Sequence, residues 1–310
     1  MLDADHLRSL RMEFHQLRYF ISAAELLNIS RAAEAMHISQ PALSRQISLL
    51  ESELGVALFD RIKKRVHLTD AGRFFLTKAR QIVCDTETSL QQVREQFGNA
   101  QRTLRLGFLT PFLDDLVVPA LREFRQRHTR TQISLFELAP RAQLDRLRNH
   151  ELDAAIVGNL NESDRAQFHL RRLSKHPMAA VLPDSHPLSK RKSVKLAALA
   201  EEKWVSLADS VFPGRRDFLR NICLKAGFEP TITLEVDTLG MMLGAVSAGD
   251  GVALMPAHSQ KLPHAGCIYV ALAAPVPTTE LFLVTRHQPQ DRELETLATL
   301  IAEVAARNTE

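Results

Sequence analysis

Apolar side chains recur at helical spacing through the first hundred residues, then in short alternating or continuous runs through the rest of the chain. Leu17, Phe20, Ile21 and Ala24 share one face of a helix over about 14–26. Asn28-Ile29-Ser30 reads as a loop, with Ser30 placed to cap a short helix from Arg31 to His37. Ser39 caps the next helix, where Gln40 and Pro41 occupy the first turn and a missing N–H does no harm. There Leu43, Ile47, Leu50 and Leu54 fall within about 60° of arc at 100° per residue. Pro41, Ser44, Arg45, Ser48 and Ser52 take the opposite face, and Gly55 ends the helix. Leu58-Phe59 and Val66-His67-Leu68 then pair as a hairpin.

Beyond Thr69-Asp70 there is no proline until Pro111, and no glycine between Gly72 and Gly98. Leu76, Val83, Leu90 and Phe97 stand seven apart, with Ala79, Thr86 and Val93 in the complementary positions. This predicts a helix of about 28 residues, ~42 Å long, carrying an a/d seam. Two uses of the seam stand open: packing on its own domain, or pairing with a second copy.

From Thr103 the pattern changes to strand–helix–strand. Strands are predicted at 104–108, 133–138 and 154–157, with helices at about 112–127 and 141–149. A second series begins after Ser174, with strands at 178–182, 204–207, 232–236, 252–255 and 280–284. Its helices fall at about 215–226, 238–248 and 290–307. The order predicts two α/β units with parallel sheets and a cleft between them. Three strand-to-helix corners face such a cleft: Thr110-Pro111-Phe112, Ser206 through Gly214 leading to Arg215 and Arg216, and Asp237-Thr238. Thr110 and Thr238 read individually as N-caps. Taken together the corners outline a polar ring, with Phe112, Phe212 and Leu239 as apolar walls.

Composition adds little until it is localised. The net charge of +3 on 310 residues does not by itself call for a nucleic acid or anionic lipid. Residues 1–98 carry thirteen bases and twelve acids, yet seven bases lie between Arg61 and Arg80 against the single Asp70. A charge run of this kind is commonly a solvated face. Here the tip Arg61-Ile62-Lys63-Lys64-Arg65 follows a helix whose outer face is small, polar and singly basic. Short hydroxyls permit close approach to a major groove, Arg45 reaches a guanine edge or phosphate, and a cationic hairpin neutralises phosphates. The pattern is that of a winged helix-turn-helix; the competing reading is a structural three-helix subdomain with a solvated loop.

The segment 14–76 resembles the DNA-binding domain of LysR-type transcriptional regulators. The match runs through Ile38-Ser39-Gln40-Pro41-Ala42-Leu43-Ser44-Arg45-Gln46-Ile47, Glu53-Leu54-Gly55, Leu58-Phe59 with Arg61, and Leu68-Thr69 with Ala71-Gly72. The resemblance implies that Gln40, Pro41, Ser44 and Arg45 face the major groove, with Ser39 at the helix start. It implies that Ser30 and Arg31 touch the backbone, and that Arg61, Lys63 and Lys64 serve the wing. Ile62-Lys63-Lys64 stands where many members carry a glycine. Segment 103–305 resembles the family's effector-binding half, itself similar to periplasmic binding proteins, through 143–157, His186-Pro187-Leu188 and 244–256. Val211-Phe212-Pro213-Gly214-Arg215 looks like the branch that senses small aromatic or dicarboxylic acids. That branch often has a carboxylate-holding threonine where Pro140-Arg141 stands here, which makes Arg141 a substitute partner.

The expected organisation is a winged helix-turn-helix domain over 12–70, a dimerisation helix over 70–98, and a two-lobed effector domain over 103–305. Lobe I spans about 103–174 and 275–305, lobe II about 175–272. The expected effector site takes in Thr110, Pro111, Arg141, Ser206, Phe212, Pro213, Gly214, Asp237 and Thr238. Expected partners are double-stranded DNA, a second copy as homodimer or homotetramer, a small-molecule effector and, for an activator, RNA polymerase.

Catalytic signatures are missing: no GxSxG, HExxH, P-loop or GxGxxG stands at a suitable corner, and the twelve histidines show no metal-ligand spacing. Neither an enzyme nor a metal or other cofactor is therefore expected. Cys84, Cys223 and Cys267, without a CxxC, predict a reducing cytoplasm and no disulfide framework. Cys223 reads as a small buried residue of its helix. The first residues are acidic and polar, unlike a signal peptide, and 1–11 reads as an extension before Met12. A ligand-responsive regulator thus competes with an architectural or constitutive DNA binder, and more remotely with a solute-binding or transferase-like α/β protein.

Overall fold

Alanines and leucines at helical spacing, fixed by short polar caps, build the first part of the chain. In this computed structural model the described residues are 12–62, 65–97, 102–262, 264–286 and 291–308, and the chain divides into two units between Ala100 and Gln101. The first unit holds α1 (Phe14–Leu26), α2 (Ile29–Ala35), α3 (Gln40–Leu54), the antiparallel hairpin β1 (Phe59–Ile62) and β2 (Arg65–Leu68), and α4 (Asp70–Phe97). Its core gathers Leu17 and Phe20 of α1, Ala32 and Ala33 of α2, and Leu43, Ile47 and Leu50 of α3. The two alanines let α2 lie close against its neighbours. Gln16 is buried in the same place; its carbonyl accepts the Glu13 N–H at 2.9 Å and its amide donates to Gln46 Oε1 at 3.1 Å, tying α1 to α3.

One local expectation is corrected, and one open choice is divided. Asn28, not Ser30, caps α2: its Oδ1 accepts the Arg31 N–H at 3.1 Å, so the helix starts at Ile29 and ends at Ala35. An Asn side chain reaches the third residue on as readily as a serine does, and leaves Ser30 exposed inside the helix. The seam of α4 is also divided. Ala79 is buried, and Leu76 and Val83 pack against the unit's own core, whereas Leu90 and Val93 are 53% and 57% exposed. Leu76, Ala79 and Val83 of the predicted seam are thus used within the unit's own core.

The second unit is α/β. Its main sheet runs β4 (Thr131–Glu137), β3 (Arg102–Phe108), β5 (Ala154–Gly158), β12 (Thr278–Thr285), β6 (His169–Pro183), β11 (Cys267–Leu272) and β7 (Ser193–Val194). Strand β10 (Ala253–Pro256) also pairs with β6, and β8 (Lys203–Leu207) lies parallel to β9 (Thr231–Val236). Helices α5 (Val118–Arg127) and α10 (Arg292–Arg307) cover one face of the first lobe, and α6 (Pro140–Arg148) lies against β5; α7 (Glu162–Gln167) leads into β6. The second lobe is faced by α8 (Arg215–Lys225) and α9 (Leu239–Ala248).

The first strand of the second series, expected at 178–182, is instead the second half of one 15-residue strand, while the other expected strands of that series are present. The first half of β6 pairs with β12 (Leu283 opposite Arg171), and its second half pairs with β10 and β11 (Tyr269 opposite Val181). Polar residues in its first half, His169-Leu-Arg-Arg-Leu-Ser-Lys-His176, hide the strand from a hydrophobic count. The helix expected over 112–127 is likewise three pieces: a 3₁₀ turn at Thr110–Phe112, a π turn at Leu113–Val117, and α5. No helix among the described residues is long and apolar enough to cross a membrane.

Candidate functional site

The N-terminal surface is built by α3. Ser39 Oγ accepts the Ala42 N–H at 3.4 Å, and Gly55 closes the other end with φ 70°. With Leu43, Ile47 and Leu50 fixed in the core, Gln40, Pro41, Arg45 and Ser48 face solvent and Ser44 is half-buried. Gln40 Nε2 donates to Ser44 Oγ at 3.3 Å, which orients both side chains on one exposed turn. Ser30 and Arg31 are exposed on α2.

The hairpin beside this face is anchored from α3. Glu51 accepts the N–H groups of Leu58 and Phe59 at 2.8 and 3.1 Å. Behind it Thr69 donates its hydroxyl to Ala57 O at 2.8 Å and its N–H to Leu58 O at 3.0 Å, and accepts the Gly72 N–H at 2.9 Å. A Cβ on Gly72 would lie 2.1 Å from Leu58 O, so only glycine permits this approach. Arg61 stands on β1 opposite Val66. Lys63 and Lys64 of the expected wing tip lie outside the described residues.

In the second unit, three adjoining cavities form a cleft at the carboxyl ends of β3 and β8. The innermost, about 80 Å³, has walls of Leu109, Pro111, Phe112, Phe212 and Leu239. It shares Leu109, Phe212 and Leu239 with a wider groove of about 490 Å³ bordered by Thr110, Glu137, Asp237 and Thr238. On the other side it shares Phe112, His176 and His258 with a third hollow that includes Asp115 and Lys261, which are ion-paired.

The predicted residues divide accordingly. Pro111, Phe212 and Pro213 line the inner cavity, and Thr110, Asp237 and Thr238 the groove. Thr110 is no helix cap: its hydroxyl bonds the Glu137 carboxylate, and a 3₁₀ turn begins there. Thr238 does cap α9, accepting the Met241 N–H at 3.1 Å. Three expected positions line none of these cavities. Ser206 is buried with its hydroxyl on Leu207 O; Arg141 contributes its N–H to Val211 O at 3.1 Å; Gly214, at φ 75°, supplies the turn that starts α8.

The fold also brings two histidines to the cleft that no motif marks, beside residues already expected there. His176 of β6, His258 of the 3₁₀ turn after β10, and Phe112 gather their rings. His258 stands 4.4 Å from His176 and 4.5 Å from Phe112, centroid to centroid. Ser174 Oγ lies 2.8 Å from His176 Nε2. Neither ring nitrogen of His258 has a hydrogen-bond partner among the described residues. Burial first, then the neighbouring His176, pulls its pKa down to about 4, and burial also lowers that of His176. Arg215 opens α8 and is 4% exposed. One Nη bonds Leu254 O, while Nε has no partner, and burial pushes the guanidinium down to about 10. Histidines 82 positions apart carry no local signal; Arg215, already noted at its corner, is buried on Leu254 O, whereas Arg216 beside it is exposed and paired with Glu235. Cys223 is buried in α8 as expected, its thiol pushed up to about 12 by burial.

Comparison with known proteins covers both units. Residues 14–73 match the bacterial regulatory helix-turn-helix protein, lysR family, and residues 97–306 the LysR substrate binding domain. The chain is similar to the HTH-type transcriptional regulator BenM of Acinetobacter baylyi, at 32% identity over 95% of this chain and 97% of that one. It is also similar to CatR of Pseudomonas putida, at 33% over 95% and 100%. Among solved structures, full-length BenM aligns at TM-score 0.58 with 31% identity, covering 96% of this chain and 98% of that one. CbnR, a LysR family regulator, shares the fold at TM-score 0.71 and 23% identity, covering 95% and 99%.

Proposed function

The chain belongs to the LysR family of bacterial transcriptional regulators, and from that premise we propose that it reads a specific operator and responds to a small carboxylate or aromatic acid held between the lobes of its second unit. It is a DNA-binding regulator with an effector-binding domain, and the family is not one of enzymes.

The observation that carries the DNA-reading proposal is the exposed turn of α3, where Gln40, Pro41 and Arg45 project from a helix fixed by its caps and core stripe. Arginine and glutamine side chains discriminate base edges in the major groove. In this reading Ser44 and Ser39 flank the reading residues, Ser30 and Arg31 hold the phosphate backbone, and Arg61, Lys63 and Lys64 serve the wing. Thr110, Pro111, Phe212, Pro213, Asp237 and Thr238 line the effector's space. The exposed Leu90 and Val93 pair α4 with a second copy, and an activating output would run through RNA polymerase. The effector acts by binding one inter-lobe arrangement more tightly than the other, since equal affinity shifts nothing.

The test is genome-wide capture of fragmented source DNA by the purified protein, repeated with Arg45→Ala. Enrichment at a few interrupted inverted repeats, relaxed at one base in the variant, is the expected result. Uniform, salt-labile binding would refute sequence reading and leave an architectural DNA binder.

A further inference from the structure

We propose that the contact of Phe112, His176 and His258 is an acid-released latch between the two lobes of the second unit, held while both histidines are neutral and parted when His258 takes up a proton. The proposal stands apart from the identity of the effector.

Strands β6 and β12 already join the lobes along the chain, and the latch is a second, non-covalent contact. Phe112 ends the 3₁₀ turn Thr110–Phe112 and Asp115 lies in the π turn after it, both in the first lobe. His258 and Lys261 belong to the 3₁₀ turn Ala257–Lys261, in the second. The His258 ring lies 4.5 Å from that of Phe112 and 4.4 Å from that of His176, centroid to centroid, and Lys261 pairs with Asp115. Asn308, at the end of α10, donates to Asp115 O at 2.7 Å. The inner cavity and the third hollow share all three rings, which therefore partition one from the other.

A proton cannot enter this arrangement and leave it unchanged. Both ring nitrogens of His258 are buried without a hydrogen-bond partner among the described residues, so a proton reaches them only when the turn lifts away. Left in place, the charged ring would be buried beside a second imidazole, whose Nε2 lies 2.8 Å from Ser174 Oγ. Of the groups around His258, Asp115 favours the proton, whereas burial, His176 and Lys261 oppose it. On β11, Tyr269 keeps its hydroxyl on Ser259 O at 3.2 Å, and Arg215 and Glu280 line the same inner cavity.

Linkage fixes the sign and the size. Latched, His258 has a pKa of about 4; parted and solvated, it returns toward 6.5, so the open form binds more protons between those values. Opening is therefore favoured as pH falls, by up to about tenfold per pH unit and about 300-fold in all. The His176 pKa is lowered by burial too, which adds in the same direction.

The experiment is native-state hydrogen exchange of the full chain at several pH values from about 7 down to about 4.5, corrected for the intrinsic pH dependence of exchange and read in peptides covering 110–117 and 257–261. Protection in the two segments is expected to fall together, by about tenfold or more, while β3, β5 and α10 keep theirs. The double variant His176→Phe with His258→Phe keeps two rings in the contact and cannot take the proton, so its protection should not change with pH. Should it misfold, His258→Phe alone should lose most of the slope. Wild-type protection that is indifferent to pH overturns the latch, as does an equal fall in the variants. A simultaneous fall throughout the unit overturns it as well, because that is unfolding and not release.

Discussion

Gly72→Ala sets two effects of opposite sign against each other. Alanine in place of glycine inside a helix ordinarily gains about 1 kcal/mol. At Gly72 the new methyl carbon would lie 2.1 Å from Leu58 O and 2.9 Å from Leu68 Cδ2, where ordinary contacts begin at 3.4 Å. The start of α4 must therefore retreat by about an ångström from Leu58 at the foot of the hairpin. The same retreat pulls on the Thr69 N–H to Leu58 O bond and on the Thr69 hydroxyl to Ala57 O bond. Overpacking costs roughly 1–3 kcal/mol, and each weakened hydrogen bond about 1. The steric term and the two weakened bonds outweigh the helix gain, leaving a net loss of roughly 2–4 kcal/mol. Native-state hydrogen exchange on the full chain, read in peptides covering 57–80, measures this locally. Faster exchange there, with no change in the second unit, is the expected outcome. Protection equal to or above wild type would show that the helix has room for a Cβ and refute the argument.

Other changes test the remaining elements. Glu51→Ala leaves the buried N–H groups of Leu58 and Phe59 without their acceptor, at a cost of about 2–3 kcal/mol. Its weaker hairpin anchorage should lower DNA affinity alike on specific and random sequence, and a selective loss in a binding titration would contradict that. Leu90→Asp, at an exposed seam position, should halve the sedimentation mass of a dimer, so an unchanged mass removes α4 from the interface. His258 makes the second unit acid-sensitive. Its folded pKa of about 4 lies below the ordinary 6.5, so the unfolded chain binds more protons between those values. Stability is full above about pH 6.5 and falls as pH drops toward 4, by at most about 3 kcal/mol. Urea melts of the second unit at several pH values should show this slope, flattened in His258→Phe; an identical slope in the variant assigns it to other groups.

Sequence patterns carried the local structure well where the decisive contacts lie within one turn. The Ser39 cap, the α3 stripe and Gly55 all depend on residues a few positions apart. The Asn28 cap escaped because Ser30 offers the same chemistry two residues later. β7 and β11, which were not predicted, are short or have exposed residues between buried ones, and owe their form to pairing with β6 and with each other. The cleft was legible at its corners and not in its interior. Burial of Arg215, and the meeting of His176 with His258, arise only when β6 and the turn after β10 are packed together.

Strand β6 has a consequence for how the second unit holds together. Pro177 and Thr278 are register partners, and β12 sits between β5 and β6 in the sheet. All of 178–277 is therefore a hundred-residue excursion that leaves and rejoins the first lobe at a single rung. Tying off a flexible loop of that length costs about 4 kcal/mol by the (3/2)RT ln n rule, a cost the first lobe avoids when the excursion is already folded with its ends together. A cavity cut in the core around Trp204 would then loosen the packing of β12 against β5, although the tryptophan belongs to the other lobe's core. Within this unit the lobes share stability through chain connectivity as well as through contact.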